Sequence, residues 1–347
     1  MKFLYVIGAI GLTILSWGLY GPVIHQGQHD MPYEIPGGGN VRAMLLPFFF
    51  VGVAYFLIAV AIPALILSSR GEAGHWSVSG IFWGLLAGAT GATGALGIIL
   101  AFESGGRPVY VMPIVFGGAP IVNSLITTVM NKLTKKIGPV FIAGLMMVIL
   151  GAITVLVCKP SAPQTGEPSA GIPLHLFWVI GAIVVTVGCW GAYGPFLHKG
   201  QMKMAGSRLR PLLCVGVAYF GIAVAVPTML LSAGTDGGWS SFTLSGTFWS
   251  LAAGAAGVFG SLGIIMAFNW GGKPIYVMPL VFGGAPVVNT LVAMLKQNHM
   301  EPTSPFFWAG LILVIAGAVL VLVFAPKGHL TKTDEPKSPQ PVEGKMG

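Results

Sequence analysis

The stretch Gly105-Gly106-Arg107-Pro108-Val109-Tyr110-Val111-Met112-Pro113-Ile114-Val115-Phe116-Gly117-Gly118-Ala119-Pro120-Ile121-Val122-Asn123 returns as Gly271-Gly272-Lys273-Pro274-Ile275-Tyr276-Val277-Met278-Pro279-Leu280-Val281-Phe282-Gly283-Gly284-Ala285-Pro286-Val287-Val288-Asn289. Chance does not reproduce a run of this length, so the chain contains an internal repeat. The repeat continues outward on both sides. Trp17-Gly18-Leu19-Tyr20-Gly21-Pro22 returns as Trp190-Gly191-Ala192-Tyr193-Gly194-Pro195, and Val51-Gly52-Val53-Ala54-Tyr55-Phe56 as Val215-Gly216-Val217-Ala218-Tyr219-Phe220. Pro63 matches Pro227, and Ser79-Gly80 with Phe82-Trp83 matches Ser245-Gly246 with Phe248-Trp249.

The solvent of these repeats is lipid. Of 347 residues 54% are hydrophobic and 8% charged, where a soluble domain carries about a quarter of its residues as charges. Crossing a hydrocarbon core about 30 Å thick takes about 20 helical residues. Apolar runs of that size occupy 3–20, 45–68, 79–102, 107–131, 139–157, 175–194, 211–232, 245–268, 274–296 and 305–325. The short alternation of a membrane barrel is absent, and unpaired strands cannot survive in lipid. The expected fold is therefore an all-α integral membrane protein of ten transmembrane helices, arranged as two inverted five-helix repeats. The first repeat spans 1–157, an external linker 158–174, the second repeat 175–325, and a disordered cytoplasmic tail 326–347. The first span is not a cleaved signal, because no small-x-small site follows it and its end reappears mid-chain.

Inversion follows from the odd number of helices per repeat and is tested by charge. Lys and Arg gather in short cytoplasmic loops. With both termini in the cytoplasm, only Arg42, Arg107, Lys159 and Lys296 of the 18 basic residues fall outside. The first loop carries only Arg42, whereas its counterpart carries Lys199, Lys203, Arg208 and Arg210. The net charge of +8 thus reflects orientation in a plasma membrane and calls for no nucleic-acid partner. Cys158, Cys189 and Cys214 have neither disulfide nor metal spacing, so neither metal nor cofactor is expected.

Small residues at fourfold spacing in the third helix (Gly80, Gly84, Gly88, Ala92) and the eighth (Gly246, Ser250, Gly254) predict close helix packing. The fourth and ninth helices differ. Pro113, Pro120, Pro279 and Pro286 each remove a backbone donor and are expected to break their helices as hinges. A bare carbonyl in hydrocarbon costs several kcal/mol, so such breaks should face a cavity. Pro113, Phe116, Pro120 and Asn123 share one helical stripe, as do Pro279, Phe282, Pro286 and Asn289. The double glycines Gly117-Gly118 and Gly283-Gly284 are expected to meet near the midplane. Paired Gly/Pro interruptions in two halves point to a transporter's binding site. Tyr55, Tyr219, Tyr110 and Tyr276 could offer it hydroxyls, with interfacial anchoring as the alternative. His25 and His198 just after their helices, and Glu103 at a helix end, are candidates for a proton site or gate. For Glu103 a loop salt bridge to Arg107 is the competing reading.

Ten helices in inverted five-plus-five order, Trp-Gly near the end of the first helix of each half, and Gly/Pro-rich fourth and ninth helices resemble the drug/metabolite transporter superfamily, including its EamA-type and sugar-porter branches. The resemblance implies alternating access, a cavity lined by helices one to four and six to nine, and peripheral fifth and tenth helices that could support a homodimer. With Asn, Tyr and carbonyls at mid-membrane, the expected substrate is a small neutral or polyhydroxylated, sugar-like solute. The rival readings are a membrane-embedded enzyme, for which no catalytic set is evident, and a non-transporting structural or lipid-handling bundle.

Overall fold

The computed structural model describes residues 2–31, 45–130, 138–158, 174–232, 239, 242–270, 274–296 and 304–324. The linker expected at 158–174 and the tail at 326–347 thus lie almost wholly outside the described residues, as does the side chain of Tyr276. The described chain is helical: α1 Lys2–His29, α2 Leu45–Ser69, α3 Val78–Glu103, α4 Pro108–Met130, α5 Pro139–Val157, α6 Leu174–Lys203, α7 Leu209–Ser232, α8 Leu244–Asn269, α9 Pro274–Lys296 and α10 Pro305–Val323. Seven of these are long and apolar enough to cross a membrane, and shorter apolar stretches lie in α5, α9 and α10. This is consistent with an α-helical integral membrane protein.

Two helix ends differ from expectation. α1 runs on through Pro22 to His29, and α6 through Pro195 to Lys203. The extra turns are held by close approach: a Cβ on Gly27 would lie 2.5 Å from Ser250 Oγ, and one on Gly200 would lie 3.0 Å from the Gly84 amide. His25 and His198 therefore sit within helices and not in loops after them.

Packing between elements comes in exchanged pairs. α1 packs on α8 and α9, while α6 packs on α3 and α4; α2 contacts α8, and α7 contacts α3. The indole of Trp17 donates to Gly257 O at 3.3 Å, and that of Trp190 to Gly91 O at 3.2 Å. Thr13 Oγ1 reaches Gly260 O at 3.0 Å, and Thr186 Oγ1 reaches Gly94 O at 3.2 Å. One hydroxyl caps two helix ends on each side. Ser77 Oγ accepts from the Gly80 amide and donates to Lys203 O, and Thr243 Oγ1 accepts from the Gly246 amide and donates to Asp30 O. Along α1 and α8 these contacts run in opposite sequence order, so the helices are antiparallel, as are α6 and α3.

Glycine makes this possible. A Cβ on Gly94 would lie 2.1 Å from the Trp190 ring, and one on Gly260 would lie 2.1 Å from the Trp17 ring. α5 and α10 pack on one another through Gly144 against Gly317 and Gly151 against Gly310. Their small-residue faces are thus used within the chain.

The expected breaks of α4 and α9 are absent. Both helices keep α winding through their prolines, and α4 is buried along most of its length. Neighbouring helices shield its proline turns from lipid. The winding changes elsewhere. In α2, Phe56–Ala61 forms a π-turn, with the Ile62 amide donating to Leu57 O; in α7, Phe220–Ala225 does the same, with Val226 donating to Gly221 O. Pro63 and Pro227 follow directly. Each lacks an amide and would collide with the carbonyl four residues back, and a wider turn relieves both problems.

Candidate functional site: an aromatic cavity below a one-sided vestibule

The two π-turns begin at Tyr55 and Tyr219, and these rings stack at the centre, with centroids 3.5 Å apart and planes 3° from parallel. Above the stack stand two crossed pairs. Trp17 meets Tyr193 edge-on at 6.4 Å, and Tyr20 meets Trp190 edge-on at 5.8 Å. Trp and Tyr are three residues apart in each repeated motif and so share a helix face. Phe116 of α4 and Phe282 of α9 close the arrangement, 6.5 Å apart. Together with Ser261 and the backbone at Gly91 and Gly257, these rings enclose a cavity of about 50 Å³. No charged side chain lines it among the described residues.

Trp17, Trp190, Tyr193 and Phe282 also wall a second hollow of about 420 Å³. It extends along the C-terminal ends of α4, α6 and α8, past Asn123, Thr127, His198, Lys199, Gln201, Ile265 and Phe268. Lys199 lies at its mouth with Nζ 3.9 Å from the Trp83 ring centroid. Among the described residues, the corresponding positions at the other end of the molecule are engaged within the protein. Gln28, which matches Gln201, donates from Nε2 to Ile99 O at 3.0 Å. Asn289, which matches Asn123, is fully buried and donates from Nδ2 to Pro108 O at 2.8 Å. Gly21, which matches Gly194, lies so close that a Cβ there would be 2.5 Å from Met112.

The remaining expected residues divide as follows. Tyr110 is buried at the start of α4, where its hydroxyl donates to Gly105 O and closes the turn after α3. The double glycines do not face one another. Gly117 turns to Val314 of α10, Gly118 to Val187 of α6, Gly283 to Ile315 and Val319 of α10, and Gly284 to Ile14 of α1. Their places are helix contacts. Pro113 and Pro120 are buried in α4 and Pro286 in α9, while the Pro279 side chain lies outside the described residues. His25 packs edge-on to Phe102, and His198 to Phe268. Glu103 is exposed at the end of α3, and no ion pair joins it to Arg107 among the described residues.

The ionic contact of consequence was not anticipated. Glu72, between α2 and α3, accepts from Ser207 Oγ at 2.5 Å, from the Arg208 amide at 2.9 Å and from Arg208 Nε at 3.0 Å. Burial opposes its charge, but these hydrogen bonds outweigh burial and hold the carboxyl below the usual carboxylate range. At the opposite end a bond from Ser245 lowers the Asp30 carboxyl in the same way. Sequence reasoning also passed over Trp17, Tyr20, Trp190, Tyr193 and Ser261. The available signal was the Trp-Gly-x-Tyr-Gly-Pro motif itself, which repeats both rings at the same spacing. Among the described residues no three His, Cys, Asp or Glu side chains gather into a metal-binding group.

No protein-family model and no curated protein matches the chain. Fourteen chains of solved structures do. One, a crystal structure described only as that of a protein, superposes with a TM-score of 0.50 at 14% identity, over 93% of this chain and 98% of its own. At that identity the likeness concerns the fold alone.

Proposed function

We propose that the chain is a transporter of the drug/metabolite kind, built as ten membrane-spanning helices in two inverted five-helix repeats and standing open to the cytoplasm. The exchanged contacts and the antiparallel α1–α8 and α3–α6 pairs support inversion. If spans alternate in direction, α1 and α3 run the same way, and α6 runs opposite to both. The charge of the loops then puts the 420 Å³ vestibule on the cytoplasmic side.

The observation that carries the reading is a difference between equivalent positions. Gln28 and Asn289 bond across one end, while Gln201 and Asn123 line an open vestibule at the other. Two halves of like sequence in unlike states are what alternating access requires, since one chain can exchange the two roles. The aromatic cavity is the point both routes would share, and a solute there would be neutral. Single cysteines replacing Asn123 and Asn289, in protein freed of its three native cysteines, test the reading. In sealed vesicles the cysteine at 123 is expected to react with a charged maleimide from the cytoplasmic side, and that at 289 to be protected. Equal reaction at both would contradict it and favour a static bundle.

A further inference from the structure

The segment near the end of α1, Pro22-Val23-Ile24-His25-Gln26-Gly27-Gln28, returns near the end of α6 as Pro195-Phe196-Leu197-His198-Lys199-Gly200-Gln201. Histidine, glycine and glutamine keep their places, and one position changes charge. In α1 the neutral Gln26 donates from Nε2 to Asp30 Oδ1 at 2.7 Å. Its counterpart Lys199 lines the 420 Å³ vestibule, and among the described residues no carboxylate pairs with it. The ammonium rests instead on the Trp83 ring, 3.9 Å from the centroid. A carboxylate holds an ammonium more strongly than a part-exposed ring face does, and the lysine stem is flexible enough to turn from one to the other. The rest of the hollow combines two characters. α4 and α6 bring it Asn123, Thr127 and His198, while Trp17, Met130 and Phe268 give it apolar surface. Among the described residues no Asp or Glu lines it.

We infer that the vestibule is a binding site for a small organic anion, with its acidic group on Lys199 and a flat apolar body against Phe268, Met130 and Trp17. The volume suits such a ligand, since pockets for small molecules run from about 300 Å³ upward. An organic cation would meet Lys199 and find no counter-charge. The anion also stops in the vestibule. The aromatic cavity beyond holds about 50 Å³ and no charged side chain among the described residues, so an ionised group entering it would lose its water with nothing in exchange. The ligand is thus a plug, competing from the cytoplasm with the neutral solute of the transport reading. Its sidedness rests on that reading, whereas binding rests on the vestibule alone.

2-Naphthoate is the probe and 2-naphthamide its neutral isostere, with binding to the full chain in nanodiscs of zwitterionic lipid read by equilibrium dialysis and empty nanodiscs subtracted. Saturable binding of naphthoate is expected, tighter than that of naphthamide by about fivefold, the size of a part-exposed ion pair. Lys199→Gln, which places at 199 the residue found at 26, should bring naphthoate down to the level of naphthamide and leave naphthamide unchanged. That unchanged affinity also shows the variant to be folded. Asn123→Trp, which fills the hollow, should abolish binding of both compounds. Absence of saturable naphthoate binding, equal affinity for the two compounds, a Lys199→Gln variant that weakens both or neither, or intact binding in Asn123→Trp would overturn the proposal. Nanodiscs expose both faces, so this test needs no sidedness, and cysteine accessibility needs no ligand. Failed naphthoate binding with asymmetric labelling therefore sinks this inference alone, and symmetric labelling with intact binding sinks only the transport reading.

Discussion

Asn289 illustrates how a single side chain would weight the equilibrium between open ends in the proposed transport cycle. Its amide donates to Pro108 O in a dry setting, while Asn123 lines the vestibule. A net hydrogen bond is worth about 1 kcal/mol, or about fivefold in a two-state ratio. Asn289→Leu is thus expected to loosen the closed end by about that factor, read as faster maleimide labelling of a cysteine at position 28. Glu72 gives a pH signature. Its folded carboxyl titrates below the unfolded value of about 4.5, so its stabilisation is complete above that value and is lost as pH falls through the lowered folded value. Glu72→Gln should melt lower than the parent at neutral pH and lose part of the parent's acid sensitivity. The asparagines were legible because polar side chains in a long apolar span are conspicuous. Tyr20 and Trp17 were not, since a Trp or Tyr near a helix end reads equally well as a membrane-interface anchor, and only their crossing with Trp190 and Tyr193 reveals the cavity.

At the scale of elements, proline told less than its chemistry suggested. The four prolines of α4 and α9 leave the winding unchanged, whereas Pro63 and Pro227 follow directly on π-turns. Which proline widens a helix depends on the neighbours that shield it, and that information is tertiary. The π-turns directly follow Tyr55 and Tyr219, whose rings stack. Pro63→Ala restores an amide and removes a cost of up to about 3 kcal/mol in an α-helix. The expected outcome is equal or higher thermal stability with a disturbed Tyr55–Tyr219 pair, visible as altered near-ultraviolet dichroism. Glycine told more. The small-residue spacing in α3 and α8 marked close approaches, and Gly94 and Gly260 lie directly beneath the indoles of Trp190 and Trp17. Gly260→Ala must displace an indole held by its own hydrogen bond, at a cost of about 1–3 kcal/mol. A melting temperature within error of the parent would count against that packing.

For the whole molecule, membrane character was readable from composition, because an 8% share of charged residues cannot cover a soluble surface. Paired motifs also foretold paired contacts, Trp17 to Gly257 with Trp190 to Gly91 among them. Which end stands open was not readable, since equivalent residues carry nearly identical sequence at both ends. The proposed cycle is an exchange of roles between the halves, with Gln201 and Asn123 taking up the bonds that Gln28 and Asn289 now make. Its most direct test cross-links cysteines at positions 201 and 265 in reconstituted protein that carries a third cysteine at 289. Closing the cytoplasmic end should open the far end, so labelling of position 289 from outside should rise several-fold over the uncross-linked protein. Labelling that stays at its resting level once the cross-link has formed would contradict the exchange.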